Sequence, residues 1–249
     1  MCELIGFSAA EPEDISVQLE EFFTHSVSNP HGWGLMYGDR LVKGCEKASD
    51  SETLKRLLNK LKPQKTLLGH IRYATVGSIT PQNCHPFTGR DNTGRQWTLI
   101  HNGTIYSGSR LIPYLNGQSG DTDSERLFLY LLDVLSKVQD SGELSEKERC
   151  ELVDGLVREM SPRNKLNLMI YDGELLYIHK NMKDTMKYRR IGSGYVFSTT
   201  ALDGSEWQDV PIAQLLVYKN GERVFEGTPH DGIFVPTLQY IRAMDAMHI

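Results

Sequence analysis

The spacing of apolar positions in the first third of the chain predicts a strand, a helix and a hairpin in succession. Residues 2–7 form a short, almost continuous apolar run, which predicts a strand. A turn rich in Gly and Pro precedes two further apolar stretches, residues 33–37 and 41–44, and this arrangement is typical of a β-hairpin. Between these strands, helical spacing places four apolar side chains on one face: Ile15, Leu19, Phe22 and Phe23.

The middle of the chain alternates between helix and strand signals. A capping motif that begins at Ser49, with a glutamate three residues later, predicts a helix start. Residues 66–74 and 97–101 are predicted strands, separated by an irregular loop. Two longer helices are predicted over residues 122–138 and 145–160, because each opens with Thr or Ser and has Glu three positions on.

The last third returns to strand patterns, and Asp-Gly and Asn-Gly pairs predict two hairpins there. The predicted strands are residues 166–171, 174–179, 195–198, 214–218 and 223–225. Strands, then a helix pair, then hairpins favour an α+β class in which mostly antiparallel sheets are covered by helices. Because no linker or internal repeat is visible, we expect one domain over residues 1–249.

Composition narrows the class of protein. There are 27 Lys+Arg against 32 Asp+Glu, a net charge of −5, and no basic stripe, which disfavours general nucleic-acid binding. No apolar stretch approaches the roughly 18 residues of a membrane-spanning helix. Residues 1–10 contain no Lys or Arg and run into acidic residues, which is not typical of a signal peptide.

The cysteines and histidines give no sign of a disulfide scaffold or a metal site. Four cysteines lie far apart in the chain without paired spacing, and a reducing cytoplasm is the expected compartment. No histidine or cysteine pair has ligand spacing, so we expect no metal and no other cofactor.

Cys2 is the first residue with candidate chemistry. If the initiator Met1 is removed, Cys2 carries a thiol and a free α-amine, whose reference pKa values lie near 8.5 and 7.7–8.0. The amine can then act as the base for its own thiol. The structural alternative is a small apolar residue at the start of a buried strand, and the dipeptide alone favours that alternative.

Three further segments allow both a functional and a structural interpretation. Arg72 lies inside a strand-like run and could pair with a carboxylate, or lie on a solvated strand face. Asn102 and Gly103 follow a strand and could hold an oxyanion, or form a turn. Asp123, like Asp121, could bind an ammonium, although acids in the first turn of a helix also suit its dipole.

Two loops carry more polar groups than a turn requires. Residues 29–34 include His31 and Trp33, and residues 83–87 include His85. Either loop could line a pocket or simply order the chain. Sequence alone leaves both possibilities open.

Taken together, these segments occur in the order found in a known enzyme family. The matching residues are Cys2, His70-Ile71-Arg72, Ala74-Thr75, Gly77, Asn83-Cys84-His85-Pro86-Phe87, His101-Asn102-Gly103 and Thr122-Asp123-Ser124-Glu125. In this combination the chain resembles the class II glutamine amidotransferases, and its opening residues and its Gly-Trp-Gly turn resemble the stand-alone, YafJ-like branch. The resemblance implies an N-terminal nucleophile hydrolase fold, two stacked antiparallel sheets between helical layers.

The resemblance also implies a role for each site residue. Cys2 would be the nucleophile, Asn102 and Gly103 the oxyanion hole, Arg72 the partner of the substrate α-carboxylate and Asp123 the partner of its α-amine. Further substrate-binding residues are expected to be Thr75, His85, His101 and Trp33. Two positions depart from the family pattern, because Tyr73 and Val76 stand where Trp and His are common.

The implied reaction is hydrolysis of a γ-glutamyl amide through a γ-glutamyl thioester on Cys2. The substrate would be glutamine or another γ-glutamyl compound. The released ammonia could pass to a separate protein, since we expect no room for a synthase domain, or hydrolysis could itself be the task. A third alternative is a catalytically silent module that binds an amino-acid-like ligand.

Overall fold

The computed structural model describes residues 2–140, 142–238 and 240. Apart from short 3₁₀ turns, its elements in chain order are β1 (Glu3–Glu13), α1 (Ser16–Thr24), β2 (Trp33–Tyr37), β3 (Arg40–Gly44), α2 (Glu52–Leu58), β4 (Gln64–Ile71), β5 (Phe87–Arg90), β6 (Gln96–Thr104), α3 (Asp123–Gln139), α4 (Glu146–Met160), β7 (Lys165–Tyr171), β8 (Leu176–His179), β9 (Lys187–Ile191), β10 (Gly194–Ser198), β11 (Gln208–Asp209), β12 (Leu216–Lys219) and β13 (Glu222–Glu226).

Two antiparallel sheets form the centre of the molecule. The first sheet has seven strands in the order β11-β9-β10-β1-β4-β2-β3, and the second has six in the order β13-β12-β8-β7-β6-β5. In the first sheet β1 is the middle strand, with Leu4 opposite His70 of β4 and Ile5 opposite Ser198 of β10. Because the chain enters this strand directly, the sheet holds the N-terminal residues in place on both sides.

Three apolar clusters separate the structure into layers. One cluster joins the first sheet to α1, and its members include Ile5, Phe7, Leu19, Phe22 and Leu35. A second joins α3 and α4 to the second sheet, and its members include Leu99, Leu131, Val157, Leu168 and Tyr177. The third draws on both sheets and therefore lies between them; its members include Leu4, Leu68, Ile100, Met169 and Ile178. The result is the αββα sandwich of the N-terminal nucleophile hydrolases, as the resemblance implies.

Two of the three predicted helix starts agree with the structure. The four apolar residues predicted on one face of α1 are all buried. Thr122 caps α3, and Ser145 and Glu148 form a complete capping box at α4. The predicted cap of α2 at Ser49 is wrong, because Ser49 lies in a short 3₁₀ turn and the helix is capped by Ser51, whose Oγ accepts from the Leu54 N–H.

Several strands differ from their predicted extent. Strand β1 continues to Glu13, well beyond the apolar run, because β4 still pairs with it at that position. Strands β5 and β9 were not predicted, since their sequences are polar and short. Both form because a neighbouring strand offers a complete set of backbone partners.

Candidate active site

Strand alternation decides which side chains reach the layer between the sheets. Alternate residues of a strand face the same side, so polar residues two or four positions from the apolar members of this layer also point into it. Among them are Cys2 before β1, His70 on β4, Asn102 on β6 and Lys165 on β7. The layer between the sheets thus changes from apolar to polar toward one end, and both sheets contribute polar side chains there.

Cys2 is half-buried and held by the backbone of the residue after Arg72. Its Sγ accepts from the Tyr73 N–H at 3.2 Å and lies 3.3 Å from the Tyr73 carbonyl oxygen, to which the thiol can donate. Burial raises the pKa of the thiol, while the Tyr73 N–H and the charges of Lys165 and Arg72 oppose that rise. A thiol with a raised pKa requires a base before it can attack a carbonyl carbon.

Arg72 is enclosed by the loop that follows it. Its guanidinium donates to the carbonyl oxygens of Ser78 at 2.9 Å and Val76 at 3.1 Å, and to that of Gly77 at 3.4 Å. Gly77 has a φ of +82°, a left-handed conformation that suits glycine, and it turns the loop around the cation. The loop therefore fixes the plane of the Arg72 fork.

A second set of contacts fastens this loop to the rest of the site. The Asp121 carboxylate accepts from the N–H and the hydroxyl of Ser78. Asn83, which is fully buried, donates to the Ser78 carbonyl oxygen at 2.8 Å and to Asp121. Asn83 belongs to the motif of residues 83–87, but the sequence assigns it no role. Only the structure shows that its amide joins the loop to the start of α3.

Asn102 and Gly103 lie at the end of β6, where backbone and side chain are tightly constrained. The Asn102 Oδ1 accepts from Lys165 Nζ at 3.0 Å. A Cβ on Gly103 would collide with the Lys165 carbonyl oxygen, so only glycine fits here. The side-chain amide of Asn102 and the backbone N–H of Gly103 therefore come from adjacent residues, and two such donors can hold an oxyanion.

Asp123 is the first residue of α3 and reaches back over the end of β6. Its carboxylate accepts from the Ile105 N–H at 2.7 Å and from the Ser124 N–H at 3.0 Å. His101 lies on the helix-facing side of β6, with Nδ1 2.9 Å from Ser124 Oγ and Nε2 3.2 Å from the Lys165 carbonyl oxygen. Since that oxygen can only accept, Nε2 carries the proton of the neutral ring, and burial lowers the pKa of His101.

The remaining predicted substrate-binding residues are dispersed. His85 stacks on His70 with ring centroids 4.2 Å apart, and burial lowers the pKa of both. Thr75 is exposed in the loop after Arg72. Trp33 packs in the cluster between the first sheet and α1 and donates to Glu46, so its indole is on the opposite face of the sheet from Cys2. At this point of β2, alternation gives the inner face to Gly34, where a Cβ would collide with the His85 carbonyl oxygen.

Two features beside Cys2 were missed from the sequence. Lys165 is 2% exposed, and burial lowers its pKa to about 8. Tyr106, Phe234 and Tyr240 form an aromatic group, in which Phe234 stacks on Tyr106 at 6.0 Å and meets Tyr240 edge-on at 5.5 Å. Burial, with the charges of Tyr106 and Cys2, raises the pKa of Tyr240 to about 12. A lysine that opens an apolar strand is the signal that could have indicated Lys165.

Within residues 2–140, 142–238 and 240, no group of three or more His, Cys, Asp or Glu residues is arranged to hold a metal ion. Among the same residues, no helix has the length and apolar character needed to cross a membrane.

Comparisons with known proteins identify the family of this chain. A sequence profile described as "Glutamine amidotransferases class-II" matches residues 1–192. The chain is 26% identical to the "Putative glutamine amidotransferase YafJ" of Escherichia coli, over 90% of this chain and 100% of that protein.

Solved structures show the same fold. A predicted glutamine amidotransferase from Pseudomonas aeruginosa superposes with a TM-score of 0.61 at 21% identity, covering 90% of this chain and 100% of that one. Glutamine phosphoribosylpyrophosphate amidotransferase from B. subtilis superposes with a TM-score of 0.67 at 18% identity, covering 94% of this chain and 50% of that one. From the profile match and the shared fold, we conclude that this chain belongs to the class II glutamine amidotransferases.

Proposed function

We propose that this chain hydrolyses a γ-glutamyl amide bond, with Cys2 as nucleophile. The observation that carries the proposal is that Cys2 before β1, Arg72 after β4 and Asn102 on β6 lie at one end of the layer between the sheets, with Cys2 hydrogen-bonded to the residue after Arg72. Their residue types match what acyl transfer needs: a nucleophile, a cation for the substrate carboxylate and a donor for the oxyanion.

The first half of the reaction forms a thioester. The α-amine of Cys2, freed by removal of Met1, takes the thiol proton, and Sγ attacks the γ-carbonyl carbon of the substrate. The carbonyl oxygen becomes an oxyanion, which the Asn102 amide and the Gly103 N–H stabilise. The C–N bond then breaks, and the α-ammonium returns its proton to the departing ammonia or amine.

The second half releases glutamate. Water, deprotonated by the same α-amine, attacks the thioester carbon, and the C–S bond breaks to regenerate the thiol. Arg72 and Asp123 hold the α-carboxylate and α-ammonium of the γ-glutamyl group through both halves. Because these two residues bind only the γ-glutamyl side, they recognise glutamine and other γ-glutamyl compounds equally, and discrimination arises on the leaving-group side.

The decisive experiment measures glutamate release from glutamine and from several γ-glutamyl peptides, with intact mass recorded on the same preparation. We expect turnover only in protein that lacks Met1, and none in Cys2→Ala. Cys45→Ala is the matched control, since Cys45 is also a half-buried free cysteine and lies outside the proposed machinery. Glutamate release by Cys2→Ala, or full activity with Met1 retained throughout, would contradict the mechanism.

The same assay separates the alternatives. If glutamine is cleaved much faster than every γ-glutamyl peptide and an added protein raises that rate, the chain is an ammonia donor rather than an independent hydrolase. If glutamine binds but no substrate is turned over, the chain is a silent binding module.

A further inference from the structure

Lys165 is a buried cation that has no role in the reaction as proposed above. In the β6–β7 register Lys165 is opposite Thr104, and Asn102 is opposite Asn167. Lys165 and Asn102 are therefore diagonal neighbours on one face, a distance that a long side chain can bridge. The lysine does so, with Nζ 3.0 Å from the Asn102 Oδ1.

This contact determines which way the Asn102 amide points. An ammonium group has only donors, so the Asn102 atom beside it must be the carbonyl oxygen. The amide nitrogen is then turned to the opposite side of the planar group, where it can donate. Without Lys165, the two ends of the amide have nearly the same shape, and packing alone would distinguish them poorly.

Lys165 also acts on Cys2 through its charge. Both side chains point into the layer between the sheets, as alternation from Leu4 and Met169 requires. The positive charge of Lys165 opposes the effect of burial on the pKa of the Cys2 thiol, and a negative charge on Cys2 opposes the lowering of the pKa of Lys165. The two groups thus stabilise each other when the sulfur is a thiolate. A buried charge pair of this kind acts more strongly than one in water.

We propose that Lys165 is a positioning residue of this site: it orients the Asn102 amide toward the oxyanion and holds a positive charge beside the Cys2 sulfur. The orienting role rests on the proposed function, whereas the effect on the sulfur does not. A lysine whose only role is to pack at the start of β7 would show neither effect.

The test combines catalysis with direct titration of Cys2. In Lys165→Met, which keeps the length but removes donor and charge, we expect kcat for glutamate release to fall about tenfold or more, with KM changed by less than about twofold. The pH midpoint of Cys2 alkylation by iodoacetamide, followed by mass spectrometry, should rise in this variant and stay near that of the parent in Lys165→Arg.

Lys180→Met is the matched control. Lys180 is also buried, donates to a backbone carbonyl, that of Met186, and has a positive charge, but it is not among the groups that act on Cys2. The Lys180→Met variant should have the same alkylation midpoint and the same kcat as the parent protein. Equal changes in Lys165→Met and Lys180→Met, or an unchanged midpoint and kcat in Lys165→Met, would overturn the proposal.

Two further measurements cover the cases in which Lys165→Met does not fold or the parent protein is inactive. If Lys165→Met does not fold, Lys165→Gln retains an N–H donor without the charge, and we expect a raised alkylation midpoint with a smaller loss of kcat; unchanged values would overturn the proposal. If the parent protein releases no glutamate from any substrate, the proposed function and the orienting role fail. The alkylation midpoints then still decide the charge effect.

Discussion

Arg72 can serve the loop and a substrate together because a guanidinium has five N–H donors. Three contacts go to the carbonyl oxygens of residues 76–78, and these fix the plane of the fork. The geometry leaves donors on the same rigid group for a carboxylate, which two parallel N–H bonds hold best. A lysine has the charge but not the fork.

Arg72→Lys should therefore raise KM about tenfold or more with a smaller effect on kcat, since a hydrogen bond to a charged group contributes about 1.5–3 kcal/mol. Steady-state kinetics of glutamate release measure both constants. Arg90→Lys is the control, because the Arg90 guanidinium likewise donates to a loop carbonyl, that of Gly94, on an exposed part of the surface. An unchanged KM in Arg72→Lys would remove Arg72 from the substrate site.

Among elements, the loop after β4 depends on the start of α3. Asn83 and Asp121 fasten Ser78, and Ser78 in turn contacts Arg72. A loop supported this way can present Arg72 rigidly even though it lies at the surface. The support comes from side chains, because the loop itself has no strand or helix partner in the described residues.

Asn83→Ala should loosen this loop and raise KM more than it lowers kcat, since it removes a buried amide that makes at least two bonds. The free energy of unfolding should fall by about 1–3 kcal/mol. Asn92→Ala offers a comparison, because Asn92 also donates to a backbone carbonyl but is exposed, and its acceptor is Ser136 near the end of α3. Equal kinetic effects in the two variants would contradict a specific role for the loop.

Local signals explain which elements the sequence could predict. The capping box at Ser145 involves residues three positions apart, so it is visible in the sequence. The position of β9 depends on β10 and β11, and its pattern of Tyr and Arg gives no strand signal by itself. Its Arg189 is stabilised by Asp203, which only the folded chain brings near.

The site was predictable only where residue type alone indicates chemistry. Cys2 has a distinctive position, and Asn102 belongs to a motif, so both could be proposed without a structure. Lys165 could not, because its contact depends on the β6–β7 register. Trp33 was expected at the substrate, but the alternation of β2 turns it toward α1 and gives the inner face to Gly34.

For the molecule as a whole, buried histidines make stability depend on pH. Burial lowers the pKa of His70 and of His179 to about 3, from an ordinary value near 6.5. Between these values the unfolded chain takes up protons that the native state refuses. Stability from this source is therefore complete above about pH 6.5 and is lost progressively as the pH falls toward 3.

Each such histidine can contribute a slope of up to about 1.4 kcal/mol per pH unit. Urea unfolding at about pH 7.5 and about pH 5.5 should show a clear loss of stability at the lower pH. His179→Asn should reduce that dependence, since its amide can still donate to the Leu166 carbonyl oxygen as the His179 Nδ1 does, but does not titrate. A pH dependence equal to that of the parent would contradict this account.

The position of β1 in its sheet has a consequence for how the protein is made. Leu4 and Thr199 exchange backbone and side-chain hydrogen bonds across 195 positions of the chain. The first strand to leave the ribosome therefore waits for one of the last to be synthesised, and contacts so distant in sequence form slowly. During that interval β1 has β4 as a sheet partner on one side but lacks β10 on the other. The contacts of Cys2 with Tyr73 and the nearby Arg72 can form early with β4, whereas Lys165 and β10 come later in the chain. The surroundings of the thiol are therefore complete only when the late strands have paired, so completion of folding is itself the step that prepares the thiol for chemistry.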